Sequence, residues 1–158
     1  IIALICAGKI SSGIGAELGS MRVTEQIDAM EVSGTNPFKY LVVTRIMAAT
    51  LMIPLLIIFG DAIALFGSAL VENLKGDVSF QLYFNKVFDA IEFSDILPAT
   101  VKSFFFGFAI GLVGSFKGYN CTKGTVGVGE ASNSAVVYTS MLLFIIDFIA
   151  VFVNTFNI

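Results

Sequence analysis

Three charged side chains interrupt the apolar runs of this sequence: Asp61, Lys102 and Asp147. An ionised side chain in an apolar environment is costly unless it is paired or hydrated. Lys102 is therefore expected to pair with Asp61 or with Asp147, which would fix the register of the segments that carry them. The same residues would also suit the lining of a hydrated lipid cavity, with the Lys102 ammonium beside a phosphate headgroup. The sequence leaves both interpretations open.

The two aspartates also suggest a different chemistry. Paired carboxylates can share a proton, as they do in aspartyl proteases, and Asp61 and Asp147 lie in separate apolar segments. An intramembrane aspartyl-type enzyme is therefore a second hypothesis. Against it, Ile58 stands where a G-x-G-D motif has glycine, and no motif accompanies Asp147. The sequence has no histidine, G-x-S-x-G or H-E-x-x-H, which disfavours serine protease and metalloprotease chemistry.

The composition indicates a protein that is solvated by a membrane. Hydrophobic residues make up 56% of the chain and charged residues 13%, whereas soluble domains have about 25% charged residues. The net charge of -3 and the lack of a basic tract argue against nucleic acid as a partner. The two cysteines lie far apart and there is no histidine, so neither a disulfide framework nor a histidine metal site is expected.

The apolar runs are long enough to predict an all-α, polytopic fold, because about 20 apolar residues cross a bilayer as a helix. We predict three complete transmembrane helices, over residues 45–71, 96–116 and 135–156. Residues 1–19 are interpreted as the end of another membrane helix whose beginning lies upstream. The predicted connections are the polar segment 20–40, the amphipathic segment 72–95 and the glycine-rich loop 117–134. Pro54 lies inside a predicted helix, where we expect a kink and not a break.

The distribution of cations predicts the orientation of the chain. The stretches 8–45 and 117–134 contain Lys9, Arg22, Lys39, Arg45, Lys117 and Lys123. The segment between the first two complete helices contains only Lys75 and Lys86. Because cytoplasmic connections carry an excess of Lys and Arg, residues 20–40 and 117–134 are expected to face the cytoplasm. Residues 72–95 and the C-terminus are then expected to face outward.

Residues 20–40 have the pattern of a short helix between two membrane segments. Thr24 is a candidate N-cap, and Gly34 with Asn36-Pro37 is expected to end the helix. The side chains divide into an apolar side and an acidic side: Ile27, Met30 and Val32 on the first, and Glu25, Asp28 and Glu31 on the second. The segment is either a solvated loop or a lever that lies along the membrane and docks on a cytoplasmic partner.

Glycines recur at the four-residue spacing that lets membrane helices approach closely. The candidate packing residues are Gly15, Gly19, Gly107, Gly111, Gly114 and Gly118. Most are expected to form contacts within one copy of the chain, although one pair would suit a dimer interface. The stretch "GTVGVGEAS" matches neither G-x-x-x-x-G-K-[ST] nor G-x-G-x-x-G, so its glycines are expected to form turns and close contacts and not a phosphate site.

Two stretches carry a resemblance to a known family. "AELGSMRVTEQIDAMEVSGTNPFKYLVVTR", with its Glu-Gln-x-x-x-Met-x-x-x-x-x-Asn-Pro pattern, resembles the signature region of the MlaE/YrbE family. The later stretch "FKGYNCTKGTVGVGEASNSAVV" and the order of the spans are similar to that family too. Its members are permease subunits of MCE-associated ABC transporters, which move phospholipids between bacterial membranes.

The resemblance implies partners and roles for this chain. It implies a homodimer in the bacterial inner membrane, with five spans per copy, a cytoplasmic ABC ATPase, a periplasmic MCE-domain protein and phospholipid as the cargo. No cofactor is expected in this chain, because ATP and Mg would be bound by the ATPase. The stretch 20–36 then matches the element that couples the permease to the ATPase, and this role is carried onto Glu25, Gln26, Asp28, Met30 and Glu31.

A third hypothesis needs no ATPase. A secondary transporter or a membrane scaffold would have the same apolar spans and the same intramembrane charges. It predicts that residues 20–36 tolerate substitution, whereas coupling to an ATPase predicts that charge reversal at Glu25 or Asp28 impairs docking of the partner.

Overall fold

A computed structural model describes residues 1–76, 79–91, 93–122 and 124–156, leaving out the side chains of residues 93–95, 154 and 156. Lys123, one of the cations used to predict the orientation, lies outside the described residues. The described part of the chain is helical and contains no strand. Its helices are α1 Ile2–Val23, α2 Gln26–Val32, α3 Phe38–Lys75, α4 Phe80–Ala90, α5 Phe93–Tyr119 and α6 Gly124–Phe156.

Four of the helices, α1, α3, α5 and α6, are long and apolar enough to cross a membrane. The predicted all-α, polytopic membrane fold is therefore confirmed. Large apolar side chains such as Phe59, Phe105 and Phe148 point outward and are more than half exposed. The buried core consists largely of small residues, among them Ala7, Ala49 and Ala109. This distribution suits helices that pack closely against one another while their outer faces contact lipid.

Helix α1 extends to Val23, beyond the predicted limit at residue 19, and has π-helical turns at Ala7–Ser11. Lys9 lies in these turns, within the helix and not in a connection, so counting it among the loop cations was wrong. The other described cations of that group remain at one end of the bundle. Arg22 and Lys117 lie in the last turns of α1 and α5, and Arg45 lies near the beginning of α3.

Helix α3 is longer than the predicted span 45–71. It begins at Phe38 with π-helical turns over Phe38–Val43 and continues through Pro54, which is buried, to Lys75. The helix is thus not broken at the proline, as expected. It ends at Gly76, whose φ of 79° is left-handed and whose N–H donates to the Asn73 carbonyl. Glycine adopts this conformation without the steric cost that a Cβ would impose.

The segment predicted as amphipathic contains α4, while residues 72–75 complete α3 and residues 77, 78 and 92 lie outside the described residues. Ser79 caps α4, because its hydroxyl accepts a hydrogen bond from the Leu82 N–H at 3.4 Å. The hydroxyl groups of Tyr83 and Ser68 are hydrogen-bonded, which ties α4 to α3. Phe88 is 73% exposed, so α4 presents an apolar side chain outward at this end of the bundle.

The region predicted as the glycine-rich loop 117–134 differs from the expectation. Residues up to Tyr119 belong to α5, and α6 begins at Gly124, so most of the region is helical. Each glycine lowers helix propensity by about 1 kcal/mol relative to alanine, but packing against α1 outweighs this cost. A Cβ at Gly15 would lie 3.4 Å from the Ala135 Cβ, and a Cβ at Gly19 would lie 3.6 Å from the Val128 Cα.

Helix α5 packs between α3 and α1 by means of its glycines. A Cβ at Gly111 would lie 2.9 Å from the Ile46 Cα of α3, and one at Gly114 would lie 2.9 Å from the Ser11 carbonyl oxygen of α1. Gly107 faces α3 and Gly118 faces α1 in the same way. These contacts lie within one copy of the chain, as expected for most of the candidate packing glycines. They fix the axial position of α5, which carries Lys102.

Candidate functional site

Lys102 and Asp147 form an ion pair across the bundle. The Lys102 Nζ on α5 lies 2.8 Å from the Asp147 Oδ1 on α6. The same ammonium lies 5.7 Å from the centre of the Phe106 ring, one turn further along α5. The side chains remain 30% and 50% exposed. Of the two partners that the sequence allowed for Lys102, the structure pairs it with Asp147.

Asp61 lines the same cavity as this ion pair. The cavity has a volume of about 450 Å³ and lies among α1, α3, α5 and α6, where Ile57, Phe106 and Leu143 contribute to its apolar wall. Asp61 itself is exposed and makes no ion pair with a described residue. The structure thus brings the three predicted intramembrane charges together around one cavity. Their formal charges sum to −1, from two carboxylates and one ammonium.

This arrangement bears on the chemistry proposed for the charges. No hydrogen bond joins Asp61 to Asp147 among the described residues, and Asp147 contacts an ammonium. An aspartyl dyad requires two carboxyl groups close enough to share a proton, whereas the carboxylate of Asp147 is bonded to the Lys102 ammonium. The geometry therefore favours a salt-bridged cavity lining over a catalytic dyad. A phosphate that approached Lys102 would have to share its ammonium with Asp147.

A second candidate site is the connecting helix α2, at the other end of the bundle. Ile27 is fully buried and packs with Leu18 and Leu41, so α2 is fixed on the ends of α1 and α3. Of the five residues assigned to coupling, four are exposed: Glu25, Gln26, Asp28 and Glu31. Met30 is half-buried and packs against the Ile27 cluster. Met30 therefore belongs to the buried contact of α2 with Leu18 and Leu41, which we call the seat of α2, and not to the outer surface of the helix.

The ends of α2 differ in part from the prediction. Thr24 is not an N-cap, because its hydroxyl donates to the Ser20 carbonyl at 2.8 Å and it completes α1. The chain then turns at Glu25, which adopts a left-handed φ of 59°. Asn36 caps the beginning of α3 and does not end α2, since its side-chain oxygen accepts the Lys39 N–H at 3.2 Å. Both assignments were wrong, because the Thr24 side chain bonds back to the preceding helix and the Asn36 side chain bonds forward to the following one.

The prediction that Gly34 ends α2 is confirmed. Gly34 has a φ of 80°, its N–H donates to the Glu31 carbonyl, and the following Thr35 N–H donates to the Met30 carbonyl. This pair of hydrogen bonds is the Schellman arrangement, which satisfies the last carbonyls of a helix. Val32, assigned to the apolar side, is 91% exposed next to this turn. The outer surface of α2 therefore combines acidic side chains with an accessible apolar one.

Two arginines hold α2 and its neighbours in place. Arg22 pairs with Asp28 at 2.7 Å, and Arg45 pairs with Glu17 at 2.7 Å. The Arg22 guanidinium also lies 5.9 Å from the centre of the Tyr119 ring at the end of α5. Sequence reasoning used both arginines only as markers of orientation. The signal that it missed was the position of Arg22 and Asp28 on either side of a short turn.

Comparison with a family model and comparison with individual proteins both indicate a permease. The family model described as Permease MlaE matches residues 1–153. A probable ABC transporter permease of Rickettsia prowazekii is 40% identical over 146 residues, which is 92% of this chain and 56% of that protein. A probable ABC transporter permease of Synechocystis is 34% identical over 94% of this chain and 56% of its own length.

A plant relative is also similar. The chloroplastic protein TRIGALACTOSYLDIACYLGLYCEROL 1 of Arabidopsis thaliana is 34% identical over 149 residues, which is 94% of this chain and 43% of that protein. The chain thus spans about half the length of the curated relatives that it matches. The family match covers all four membrane-length helices and the connecting helix α2. This multi-pass membrane chain therefore belongs to the MlaE permease family.

Proposed function

We propose that the chain is the membrane-spanning part of a permease subunit in an ATP-driven ABC transporter that moves phospholipids between the inner and outer membranes of a bacterium. In this proposal two copies form a homodimer in the inner membrane. A cytoplasmic ABC ATPase binds and hydrolyses ATP, with Mg as its metal. A periplasmic MCE-domain protein exchanges phospholipid with the permease. The chain itself carries no catalytic step and no cofactor.

The observation that carries the proposal is the seat of α2. A helix that only connects two spans needs no buried anchor, yet Ile27 is fully buried between α1 and α3. The Arg22–Asp28 ion pair further fixes the helix relative to the end of α1. A force applied to the exposed residues Glu25 and Glu31 would thus be transmitted to membrane helices instead of bending a loose loop. This is what a coupling element between an ATPase and a permease requires.

Two further observations support a lipid as the cargo. The plant relative is named for trigalactosyldiacylglycerol, a lipid. In this chain a cavity with an apolar wall carries Lys102, Asp147 and Asp61 within the membrane-length helices. Charged groups at such depth are expensive and mark substrate pathways in many membrane proteins. An apolar wall with a few charges matches a molecule that has acyl chains and a charged headgroup.

The proposal is tested by native mass spectrometry of the affinity-tagged, full-length protein, extracted gently from its own membranes. The expected assembly contains two copies of the permease, two ATPase subunits and bound phospholipid. Recovery of the permease without an ATPase, at protein concentrations where the dimer persists, would contradict the coupling role of α2. It would favour the secondary transporter or the scaffold. An ATPase complex free of phospholipid would contradict the assignment of the cargo.

A further inference from the structure

The beginning of α3 is wound in π-helical turns, at Phe38–Val43, before regular α-helix starts at Thr44. A π-helical turn holds one residue more than an α-helical turn, because its hydrogen bonds run from i to i+5. One extra residue rotates the side chains before the turn by about 100° relative to those after it. Leu41 lies in these turns and is 5% exposed in the seat of α2. The direction in which Leu41 points, relative to the rest of α3, thus depends on the π-helical turns.

Side-chain donors support the junction between the π-helical and the α-helical turns. The change from i→i+5 to i→i+4 hydrogen bonding passes over one carbonyl group, and a buried carbonyl group needs a donor. The Thr44 hydroxyl donates to the Tyr40 carbonyl at 2.6 Å and lies 3.3 Å from the Leu41 carbonyl. The Arg45 Nη1 donates to the Leu41 carbonyl at 3.0 Å. Of the two donors to Leu41, the guanidinium is the closer one, and its charge strengthens the bond.

The guanidinium of Arg45 reaches a second helix at the same time. Its Nη2 donates to the Glu17 Oε1 on α1 at 2.7 Å. Glu17 directly precedes Leu18, the residue through which α1 contributes to the seat of α2. One planar group therefore ties the backbone of Leu41 to α1 beside Leu18. The two helices that hold α2 are thus joined next to the point where α2 contacts them.

The contacts of Arg45 suit a geometric role better than a contribution to stability. The Glu17 side chain is 61% exposed, and ion pairs that are accessible to water contribute little to stability. A guanidinium presents its N–H donors in a rigid plane, whereas a lysine ammonium is a point charge on a flexible chain. Arginine therefore fixes the Leu41 carbonyl and the Glu17 carboxylate relative to each other. A lysine at this position is expected to keep the ion pair and to lose the fixed geometry.

We propose that Arg45 is a positioning residue, which holds the π-helical turns of α3 so that a displacement of α2 moves α1 and α3 together. When α2 moves, Ile27 displaces Leu41 in the seat, and Arg45 passes the displacement from the Leu41 backbone to Glu17. The inference rests on the proposed function, because the ATPase is what displaces α2. Without Arg45 the ATPase still docks and hydrolyses ATP, but the two membrane helices no longer respond as one unit.

The hold of Arg45 on the π-helical turns is measured by hydrogen–deuterium exchange of the full-length permease, without any ATPase. We expect Arg45→Lys and Arg45→Gln to accelerate exchange of the backbone amides of residues 38–47 roughly tenfold, because local opening becomes easier. Lys39→Gln is the matched control. It removes an exposed cation from the same turns that forms no ion pair with a described residue, and exchange should be unchanged. Equal exchange in wild type and both Arg45 variants would overturn the proposal.

Coupling is measured on the permease complex purified from its own membranes and reconstituted in vesicles. The readout is the amount of fluorescent phosphatidylethanolamine transferred to acceptor vesicles per ATP hydrolysed. Arg45→Lys should leave the recovery of ATPase and the thermal midpoint close to wild type, while transfer per ATP falls roughly tenfold. Exchange of the pair, by Glu17→Arg with Arg45→Glu, restores an ion pair but no donor to Leu41, so transfer should stay low. Full transfer by the exchanged pair would overturn the role of the Leu41 contact.

The failure of this inference is distinguishable from the failure of the proposed function. If wild type is recovered without any ATPase, the proposed function fails, while the exchange measurement still tests whether Arg45 holds the π-helical turns. If wild type and Arg45→Lys transfer equal amounts of lipid per ATP, the ATPase still supports the proposed function. Arg45 is then not a positioning residue for coupling, and the inference is overturned.

Discussion

Gly107 lies so close to Ala49 that a Cβ at position 107 would be 2.7 Å from the Ala49 carbonyl oxygen and 2.8 Å from the Thr50 Cα. Both atoms belong to the backbone of α3, which cannot move away as a flexible side chain can. The contact sets the distance between α5 and α3. It also determines how α5 presents Lys102, which lies five residues before Gly107 on the same helix.

We expect Gly107→Ala to destabilise the protein by about 1–3 kcal/mol, because the added methyl group forces the two helices apart. Thermal unfolding of the detergent-solubilised protein, monitored by circular dichroism, measures the change. Gly67→Ala is the matched control. A Cβ at Gly67 meets no atom within 4 Å, and alanine favours the helix by about 1 kcal/mol. A thermal midpoint for Gly107→Ala equal to that of Gly67→Ala would contradict this packing argument.

The ion pair between Lys102 and Asp147 predicts coupled effects of substitution. Lys102→Met or Asp147→Leu leaves an unpaired charge, and we expect each to reduce the free energy of unfolding by about 1–2 kcal/mol, since the pair is only partly buried. The double variant should regain most of that loss, because it leaves neither charge unpaired. Asp61→Asn removes no ion pair among the described residues, and its effect should stay within about 0.5 kcal/mol.

The same variants distinguish a structural pair from a cavity lining. If the pair only fixes helix register, the double variant should recover lipid transport together with stability. If the charges line the path of the headgroup, stability should recover while transport measured in reconstituted vesicles stays low. We expect the second result, because Asp61 lines the same cavity and adds a charge that forms no ion pair with any residue that the structure describes. Additive losses of stability in the double variant would contradict the pairing itself.

Gly34 ends α2 in a conformation that other residues rarely adopt. We expect Gly34→Ala to reduce stability by about 1 kcal/mol, because a Cβ is disfavoured at a φ of 80°. A Cβ there would meet no atom within 4 Å, so the effect reports the backbone conformation and not a clash. Gly34→Asn is the matched variant, since asparagine tolerates the left-handed region better than alanine does. In chemical denaturation the free energy of unfolding should be highest for wild type, lower for Gly34→Asn and lowest for Gly34→Ala. A higher value for Gly34→Ala than for Gly34→Asn would contradict the turn geometry.

The sequence predicted the helical membrane fold because apolar runs of about 20 residues have few other solutions in a bilayer. It did not predict that α6 begins at Gly124. Local propensity counts each glycine of residues 124–129 against a helix, and the compensating contacts come from Gly15 and Gly19, more than 100 residues earlier. Only the three-dimensional arrangement reveals that Gly15 and Gly19 of α1 let the beginning of α6 approach closely.

The candidate site was predictable in its residues but not in their pairing. The cost of charge in a membrane singled out Asp61, Lys102 and Asp147. Which aspartate pairs with Lys102 depends on the axial positions of three helices, and the glycine contacts of α5 fix those positions. In α2, the acidic side was read correctly, but Met30 proved to be part of the seat. Its side chain points inward because Ile27 and Met30 share one helical face.

Charge reversal on the outer surface of α2 tests the proposed docking of an ATPase. We expect Glu25→Lys and Glu31→Lys each to reduce the amount of ATPase recovered with the affinity-tagged permease several-fold, because complementary charges at an interface speed association and disfavour mismatched contacts. Both side chains are exposed, and neither makes an ion pair with a described residue. Their thermal midpoints should therefore stay close to that of wild type.

Asp28→Lys differs from these two variants, since it also breaks the ion pair with Arg22, so both the recovery of ATPase and the stability of the permease should fall. Asp89→Lys, on the exposed surface of α4 at the other end of the bundle, is the matched control and should leave recovery unchanged. Full recovery of the ATPase with Glu25→Lys, Glu31→Lys and Asp28→Lys would mean that α2 is not where the partner docks.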